Sequence, residues 1–501
     1  MELHQRIVSA PVDFGAIRSE FGLASAYPAE ATAEARDASD AFAGFRIDRT
    51  DLEFVTIDPP GAMDLDQAVH LERTGTGFIV HYAIADVAAV IDPAGALARE
   101  SGARGQTFYL PDGTVPLHPP ELSEGSASLL PDQTRPAVLW TIECDGAGEP
   151  LTYAVERALI RSRARLDYAG VQADADAGRL HPSIAALPEF GRRRIEAGLA
   201  RGAIGLRLPS QSIIRHEGTD GHWQLIVEPR TAADDWNEQI SLLTGMIAAR
   251  IMLAGKESGE VIALLRTMPP PAESAIAAMR RTAAAVGVDW PADQSVGRML
   301  AMLDPNTPAA LVLMSEATGL LRGAGYTVLN GDTGTTQETA RANGQVSSES
   351  ADADTRRPDL LQHSAIGAPY AHVTAPLRRL GDRFATEICL ARSARTEVPQ
   401  WVRDGLADVV STLRRTDAMA NKIERACIDL TESTLLSERV GQAFEAVVIR
   451  EANGNRPAEI FIADPPVLGP CAGQPPEGST VRVLLTSADP TTRKIAFTYP
   501  A

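Results

Sequence analysis

The stretch Thr56–Val69, TIDPPGAMDLDQAV, places Asp58, Asp64 and Asp66 within nine positions, with two prolines and a glycine between the first and the second. Carboxylates a few ångströms apart repel, and in a partly buried site they need a compensating cation. Hard divalent ions meet that need: magnesium accepts one or two carboxylates, waters and the phosphate oxygens of a substrate. Chemistry of this kind hydrolyses phosphodiesters, because bound metal activates water, neutralises the phosphate and stabilises the leaving oxygen. The same letters also fit a solvent-exposed acidic turn, and spacing alone does not choose between the two.

The elements that must position these acids read as strands. LEFVTID (52–58) enters, Pro-Pro-Gly turns the chain, and DQAVHLER (66–73) leaves. If the second strand is regular, Asp64 and Asp66 share one face, Gln67 points to the other, and the turn returns Asp58 towards the pair. GFIVHYAIADV (77–87) and AVLWTIECD (137–145) continue the strand pattern. TAADDWNEQISLLTGMIAARIMLAG (231–255) and RFATEICLARSAR (383–395) repeat apolar residues at three and four, the spacing of helices. The chain thus reads as a multidomain α/β protein, with residues 46–437 forming one domain, a mixed β-sheet covered by helices. Residues 438–501 hold about five short strand-like runs between turns, which suits a small closed β-barrel, an OB-fold. In residues 1–45, PVDFGAIRSEFGL and PAEATAEARDASDAF suggest short helices, either a helix-turn-helix-like module or a helical cap on the next domain.

Composition narrows the classes. The chain has 501 residues, 44% hydrophobic and 22% charged, which is ordinary for a folded soluble protein. No apolar run reaches the length of a membrane span, and MELHQRIVSAPVDF lacks a basic segment followed by an apolar core, so a cytoplasmic, membrane-free protein is expected. Cys144, Cys389, Cys427 and Cys471 lie far apart, as expected of reduced thiols. A net charge of −18 argues against nonspecific coating of nucleic acid, but not against a local basic channel. Arginines cluster in ERALIRSRARLDY (156–168), GRRRIEAGLARGAIGLRL (191–208) and APLRRLGDR (375–383), whereas lysine occurs only at Lys256, Lys422 and Lys494.

The aspartate segment resembles the signature of the ribonuclease II/R (RNB) exoribonuclease family, in which a strand ending in Asp is followed five residues later by Asp-X-Asp-Asp. Asp58, Asp64 and Asp66 match the first three acids, and Gln67 stands at the fourth. Further blocks follow in the family's order: TFYLPDGTVPLHPPELSEGSASLLP (107–131), RSRARLDYAGV (161–171), WNEQISLLTGMIAAR (236–250), PYAHVTAPLRRLGDR (369–383) and NKIERACIDL (421–430). In the third of these, Gly245 stands where asparagine is usual. The tail is similar to the family's S1-like OB domain. The first 45 residues are too few for the cold-shock domains that usually open bacterial members, so a short helical module is expected in their place.

The resemblance implies a 3′→5′ exoribonuclease that degrades single-stranded RNA, or structured RNA with a 3′ overhang, to nucleoside 5′-monophosphates with Mg²⁺ or Mn²⁺. It implies that Asp58, Asp64 and Asp66 hold metal, with Gln67 at the substituted ligand position, and that Asp66 and Asp64 are catalytic. Arg378 would meet the scissile phosphate, with Arg379 beside it. Tyr109 would stack on the 3′-terminal base, and Tyr168 would place the last nucleotides. Glu424, and Glu238 within a one-residue slip of alignment, would orient terminal nucleotides. His81 and His372 read as structural, and no role is assigned to His118 or Trp236. The partner implied is the 3′ end of single-stranded RNA, and a monomer is expected. The rival reading is an RNA-binding or regulatory protein on the same fold, its chemistry impaired by Gln67.

Overall fold

Strands Phe54–Ile57, Gln67–Arg73, Gly77–Ala85, Thr134–Asp145 and Pro150–Leu166, with the short edge strand Ile47–Asp48, form the central sheet. Their side chains alternate by size. Phe78, Val80, Tyr82 and Ile84 enter one core, as do Val138, Trp140 and Ile142, while Ala83, Ala85, Ala137 and Leu139 enter a second core on the opposite face. This period of two is what a sheet buried on both sides demands, with the larger side chains of these strands mostly on the first face and the alanines on the second. The computed structural model describes residues 9–24, 26–206, 210–216, 221–228, 230–254, 261–305, 307–331 and 361–501. The first eight residues of the sequence, Arg207 and Leu208 of the second arginine cluster, and Lys256 lie outside the described residues.

The 17-residue strand Pro150–Leu166 bends the sheet on itself. It runs antiparallel to Thr134–Asp145 over most of its length, then parallel to Phe54–Ile57 from Ser162 to Leu166. The sheet is therefore mixed and curled, with its last part delivering Tyr168 beside the acid loop. Helices cover the larger core. Ile240, Leu243 and Ile247 of helix Ala232–Leu253 pack there with Ile388 of helix Leu380–Ala394 and Leu406 of helix Gln400–Leu436. Thr231 and Asp234 cap the first of these reciprocally, which fixes where that helix begins.

The tail forms the expected barrel. Strands Ala443–Arg450, Ala458–Ala463, Pro466–Ala472, Thr480–Asp489 and Lys494–Thr498 close on one another, the third and fifth parallel. Phe444, Val448, Ile460, Val483 and Phe497 fill its interior.

The N-terminal segment departs from a helix-turn-helix unit. Helix Gly15–Glu20 buries Ile17 with Phe108, Trp223 and Ile423, whereas helix Ala29–Arg36 buries Ala31 and Ala35 with Leu97 and Leu122. Each helix is amphipathic towards a different part of the following domain, so the two cap it separately. Among the described residues no helix is long and apolar enough to cross a membrane. All four cysteines are free and buried.

Candidate active site

The acid loop differs from a regular strand in one respect. The second strand starts at Gln67, so Asp64 and Asp66 sit in the loop before it. Side chains from outside hold that loop: the Ser128 hydroxyl accepts from Leu65 N at 3.0 Å and donates to Met63 O at 2.6 Å, and Leu129 N donates to Leu65 O. Leu65 is fully buried and acts as the plug that turns its two acidic neighbours inward. Asp58 is fixed from the other side, its N–H donating to Leu166 O at 3.0 Å.

Asp66 is 3% exposed. One carboxylate oxygen accepts from Leu377 N at 2.7 Å, and the other faces Arg378 Nε at 3.2 Å. Burial pushes its pKa up to about 8, against the pull of Arg378 and the Leu377 hydrogen bond. Burial likewise raises Asp58 to about 6, and its Oδ2 is buried with no hydrogen-bond partner. Asp64, half-buried, is raised by burial too, and its charge is felt at both Asp58 and Asp66. Arg378 acts on all three acids and Arg165 on Asp58 as well, so the carboxyls outnumber the guanidiniums. That imbalance is the electrostatic character of the site: negative charge in excess, with too little solvent or cation to carry it.

Arg378 rides on a braced loop. Thr107 N donates to Arg378 O, Leu380 N to Gly105 O, and Arg379 N to Ala375 O. Asp382, fully buried, accepts from Ala375 N at 2.7 Å and from the Arg379 guanidinium through two contacts at 3.1 and 3.0 Å. The neighbouring arginines therefore have different surroundings. Arg379 is committed to Asp382, while the Arg378 side chain is 44% exposed and turned to the acids.

Tyrosines flank the cluster. Tyr109, 54% exposed, sits in the strand Phe108–Leu110, whose Phe108 and Leu110 point instead into a core against the long helix. Burial of the hydroxyl region raises Tyr109 to about 12, with Arg378, Asp64 and Asp66 also acting on it. Tyr168 opens helix Tyr168–Asp176, capped by Asp167, and its hydroxyl accepts from Asn237 Nδ2 at 3.5 Å. Asp58 and Arg378 act on Tyr168 as well, so both aromatic rings belong to the same neighbourhood.

The remaining candidates stand elsewhere. Glu424 is exposed on the long helix, one residue from Ile423, which packs against the Phe108–Leu110 strand. Glu238 pairs with Arg230 at 2.5 Å and lines an adjoining cavity with Tyr370, His363 and His372. The residue of that helix which reaches the site tyrosines is Asn237, one position earlier, together with Ser241, whose Oγ lies 2.9 Å from the Tyr82 hydroxyl. Gln67 has both amide ends engaged by protein, at Thr374 O and the Tyr82 hydroxyl, in place of an oxygen open to a metal. Tyr82, Asn237 and Ser241 carry no signal in a single sequence, because their partners are 15 to 159 residues away.

Gly245 has a steric reason. A Cβ there would lie 2.2 Å from Tyr370 Cε2 and 2.5 Å from Ala371 O, and Ala371 N donates to Gly245 O. The glycine lets the segment leading to Arg378 lie directly on the helix. His372 bonds the Tyr326 hydroxyl and His81 lies near Thr141 and Glu72; burial lowers both pKa values, consistent with structural roles. His118 is buried, lowered to about 3 by burial, and faces Pro376 O at 3.3 Å. Trp236 is a core residue.

Among the described residues no group of three or more His, Cys, Asp or Glu side chains forms a ready-made metal cage. The residues nevertheless fit a cation. Asp58 carries an orphaned buried oxygen, and burial raises all three acids, which a bound cation would offset. Magnesium is commonly held by one or two carboxylates completed by water and phosphate, rather than by a closed protein cage.

Comparison with known proteins places these features in context. Residues 46–389 match the RNB domain and residues 442–499 the RNase II-type exonuclease C-terminal S1 domain. Ribonuclease R of Chlamydia trachomatis is 30% identical over 297 residues, covering 57% of this chain and 42% of that protein. Ribonuclease R of Escherichia coli K12 is 31% identical over 256 residues, covering 49% of this chain and 31% of the relative. The chain thus spans less than half the length of these curated relatives. Among solved structures, Mycoplasma genitalium RNase R in complex with ribose methylated single-stranded RNA superposes with a TM-score of 0.80 at 19% identity, over 97% of this chain and 77% of that one.

Proposed function

This chain belongs to the RNB family, and on that premise we propose that it is a 3′→5′ exoribonuclease that hydrolyses single-stranded RNA to nucleoside 5′-monophosphates with a divalent cation, Mg²⁺ or Mn²⁺. The observation that carries the reading is the buried Asp66 carboxyl, braced between Leu377 N–H and Arg378, within a cluster of three acids that outnumber the arginines acting on them. Asp58 and Asp64, with Asp66, would hold the cation, which when bound supplies activated water and neutralises developing charge.

The chain's own residues do the rest. Arg378 is the half-exposed guanidinium beside the acids, suited to grip the phosphate by paired charge-assisted hydrogen bonds. Tyr109 offers an exposed ring on which a terminal base stacks whatever its identity, and Tyr168, close enough to the site for Asp58 and Arg378 to act on it, is placed to position the last nucleotides. Arg379 serves the fold by holding Asp382, so the phosphate contact falls to Arg378 alone. The closed barrel has the shape that commonly holds single strands, and contacts to 2′-hydroxyls would select RNA over DNA. RNA as substrate is supported by the RNA-bound state of the M. genitalium relative.

The test uses a 5′-labelled RNA oligonucleotide with Mg²⁺ or Mn²⁺, and with chelator. Progressive shortening from the 3′ end, release of mononucleotides and arrest by chelator are expected. Tight binding without shortening would replace this reading with that of a binding protein. Cleavage confined to DNA would overturn the substrate.

A further inference from the structure

Gln67, at the position where the family carries a fourth acid, is fastened at both ends. Its Nε2 donates to Thr374 O at 2.7 Å, and its Oε1 accepts from the Tyr82 hydroxyl at 2.5 Å. A carbonyl oxygen only accepts, so the nitrogen end must face Thr374 and the amide has one permitted orientation. Tyr82 is 1% exposed, and its hydroxyl also meets Ser241 Oγ at 2.9 Å. This run of bonds joins the strand after the acids, the next strand, helix Ala232–Leu253 and the loop that carries Arg378. Three residues beyond Thr374, Leu377 N holds one oxygen of Asp66, and Arg378 meets the other. Asp66 and Gln67, adjacent in the chain, thus grip the same loop at two points.

We propose that Gln67 is a positioning residue, a latch that sets where Arg378 stands relative to Asp66, and that the site is built to exclude an acid at this position. The inference rests on the reading of the site as an RNA-cleaving centre. A carboxylate of either length would set an acceptor against the Thr374 carbonyl and leave that buried oxygen without its donor. Aspartate is also one methylene shorter than glutamine, so it cannot span the same two partners. Restoring the family's fourth acid is therefore predicted to harm this enzyme, the opposite of what a missing metal ligand implies.

The experiment compares the full chain with Gln67→Glu, Gln67→Asp and Tyr82→Phe. The readouts are kcat and KM for RNA, the number of Mn²⁺ ions bound by spin counting of free metal, and denaturant unfolding. Gln67→Glu is expected to lower kcat by about tenfold or more, as small misplacements of reacting groups do, with KM within about threefold. The count of bound Mn²⁺ stays at the wild-type value. Tyr82→Phe, which keeps the core packing, lowers kcat less, and the double variant falls short of the product of the two. An acid at position 67 that raises kcat or adds a bound Mn²⁺ overturns the proposal, as does a loss that falls on KM and leaves kcat unchanged. If the wild type shortens no RNA, the functional reading fails separately. The latch then stands or falls on unfolding: the two changes should be coupled by about fivefold in the unfolding constant, and independence refutes it.

Discussion

Replacing Asp66 by asparagine separates what the buried acid does to the fold from what it does to the site. In the folded chain burial raises this carboxyl from its ordinary 3.8 to about 8. The fold therefore binds the proton more tightly than the unfolded chain, and stability falls as pH rises from about 4 towards 8. At pH 7 the shift spans about three pH units, and at 1.36 kcal/mol per unit the acid costs roughly 4 kcal/mol. The amide has no charge to desolvate. It keeps an oxygen for Leu377 N, but it sets an NH₂ against Arg378 Nε where the acid had an oxygen at 3.2 Å. Losing that contact costs about 1–3 kcal/mol. Asp66→Asn should accordingly be more stable than wild type by about 1–3 kcal/mol at pH 7. Towards pH 4 the acid no longer costs anything and the lost Arg378 contact remains, so the order reverses and the variant is less stable by about 1–3 kcal/mol. Its RNA shortening should fall at least about 1,000-fold, equivalent to about 4 kcal/mol on the barrier, with RNA affinity within a few-fold. Denaturant unfolding at pH 5, 7 and 8.5 without added metal, paired with gel assays, measures both. A variant that is less stable at pH 7, or that keeps the wild-type slope with pH, refutes the electrostatic argument. Retained turnover refutes the role of Asp66.

Three further outcomes follow from the geometry. Tyr109→Ala removes a ring that is 54% exposed, so KM for RNA should rise by a factor of about 5–150, from 1–3 kcal/mol of lost stacking, while stability stays put; an unchanged KM removes Tyr109 from the path. Arg378→Gln should reduce the slope of log affinity against log salt by about one, whereas Arg379→Gln should leave that slope alone and destabilise the fold by about 1–3 kcal/mol through loss of the doubly bonded Asp382 pair; titrations from 50 to 300 mM salt distinguish them. Gly245→Ala would place a methyl 2.2 Å from the Tyr370 ring, and should lower the unfolding free energy by about 1–3 kcal/mol, read from the denaturation midpoint.

Much of the site is legible in the letters because it is local. Asp58, Asp64 and Asp66 announce themselves by like charge at short spacing beside strand-forming residues, and the five barrel strands by turns at regular intervals. What stays hidden is set by distant partners. Asp64 and Asp66 sit off the strand because Ser128, more than sixty residues on, pins Leu65 and pre-empts the pleat. Arg378 and Arg379 are identical letters whose difference is Asp382, one turn later, claiming only the second. Gln67 reads as a weakened ligand until Thr374 and Tyr82 are seen to hold it. The N-terminal helices have the right periodicity for a small module, yet each carries too little apolar surface to pack on the other, so each adopts the nearest core of the larger domain.

The helix Gln400–Leu436 has a mechanical consequence. Its 37 residues extend about 55 Å at 1.5 Å each, without an internal proline, and Gly405, its one glycine, is packed against Phe384. Leu406 and Leu413 at one end belong to the central core, Ile423 and Cys427 midway to the core under Tyr109, and Leu435 and Leu436 to the barrel. Such a rod has no hinge, so the barrel is a fixed outrigger and not a tethered bead. Heat or force applied at the barrel travels to the acid loop's own foundations, and the molecule should melt in one step, losing its grip and its blade together.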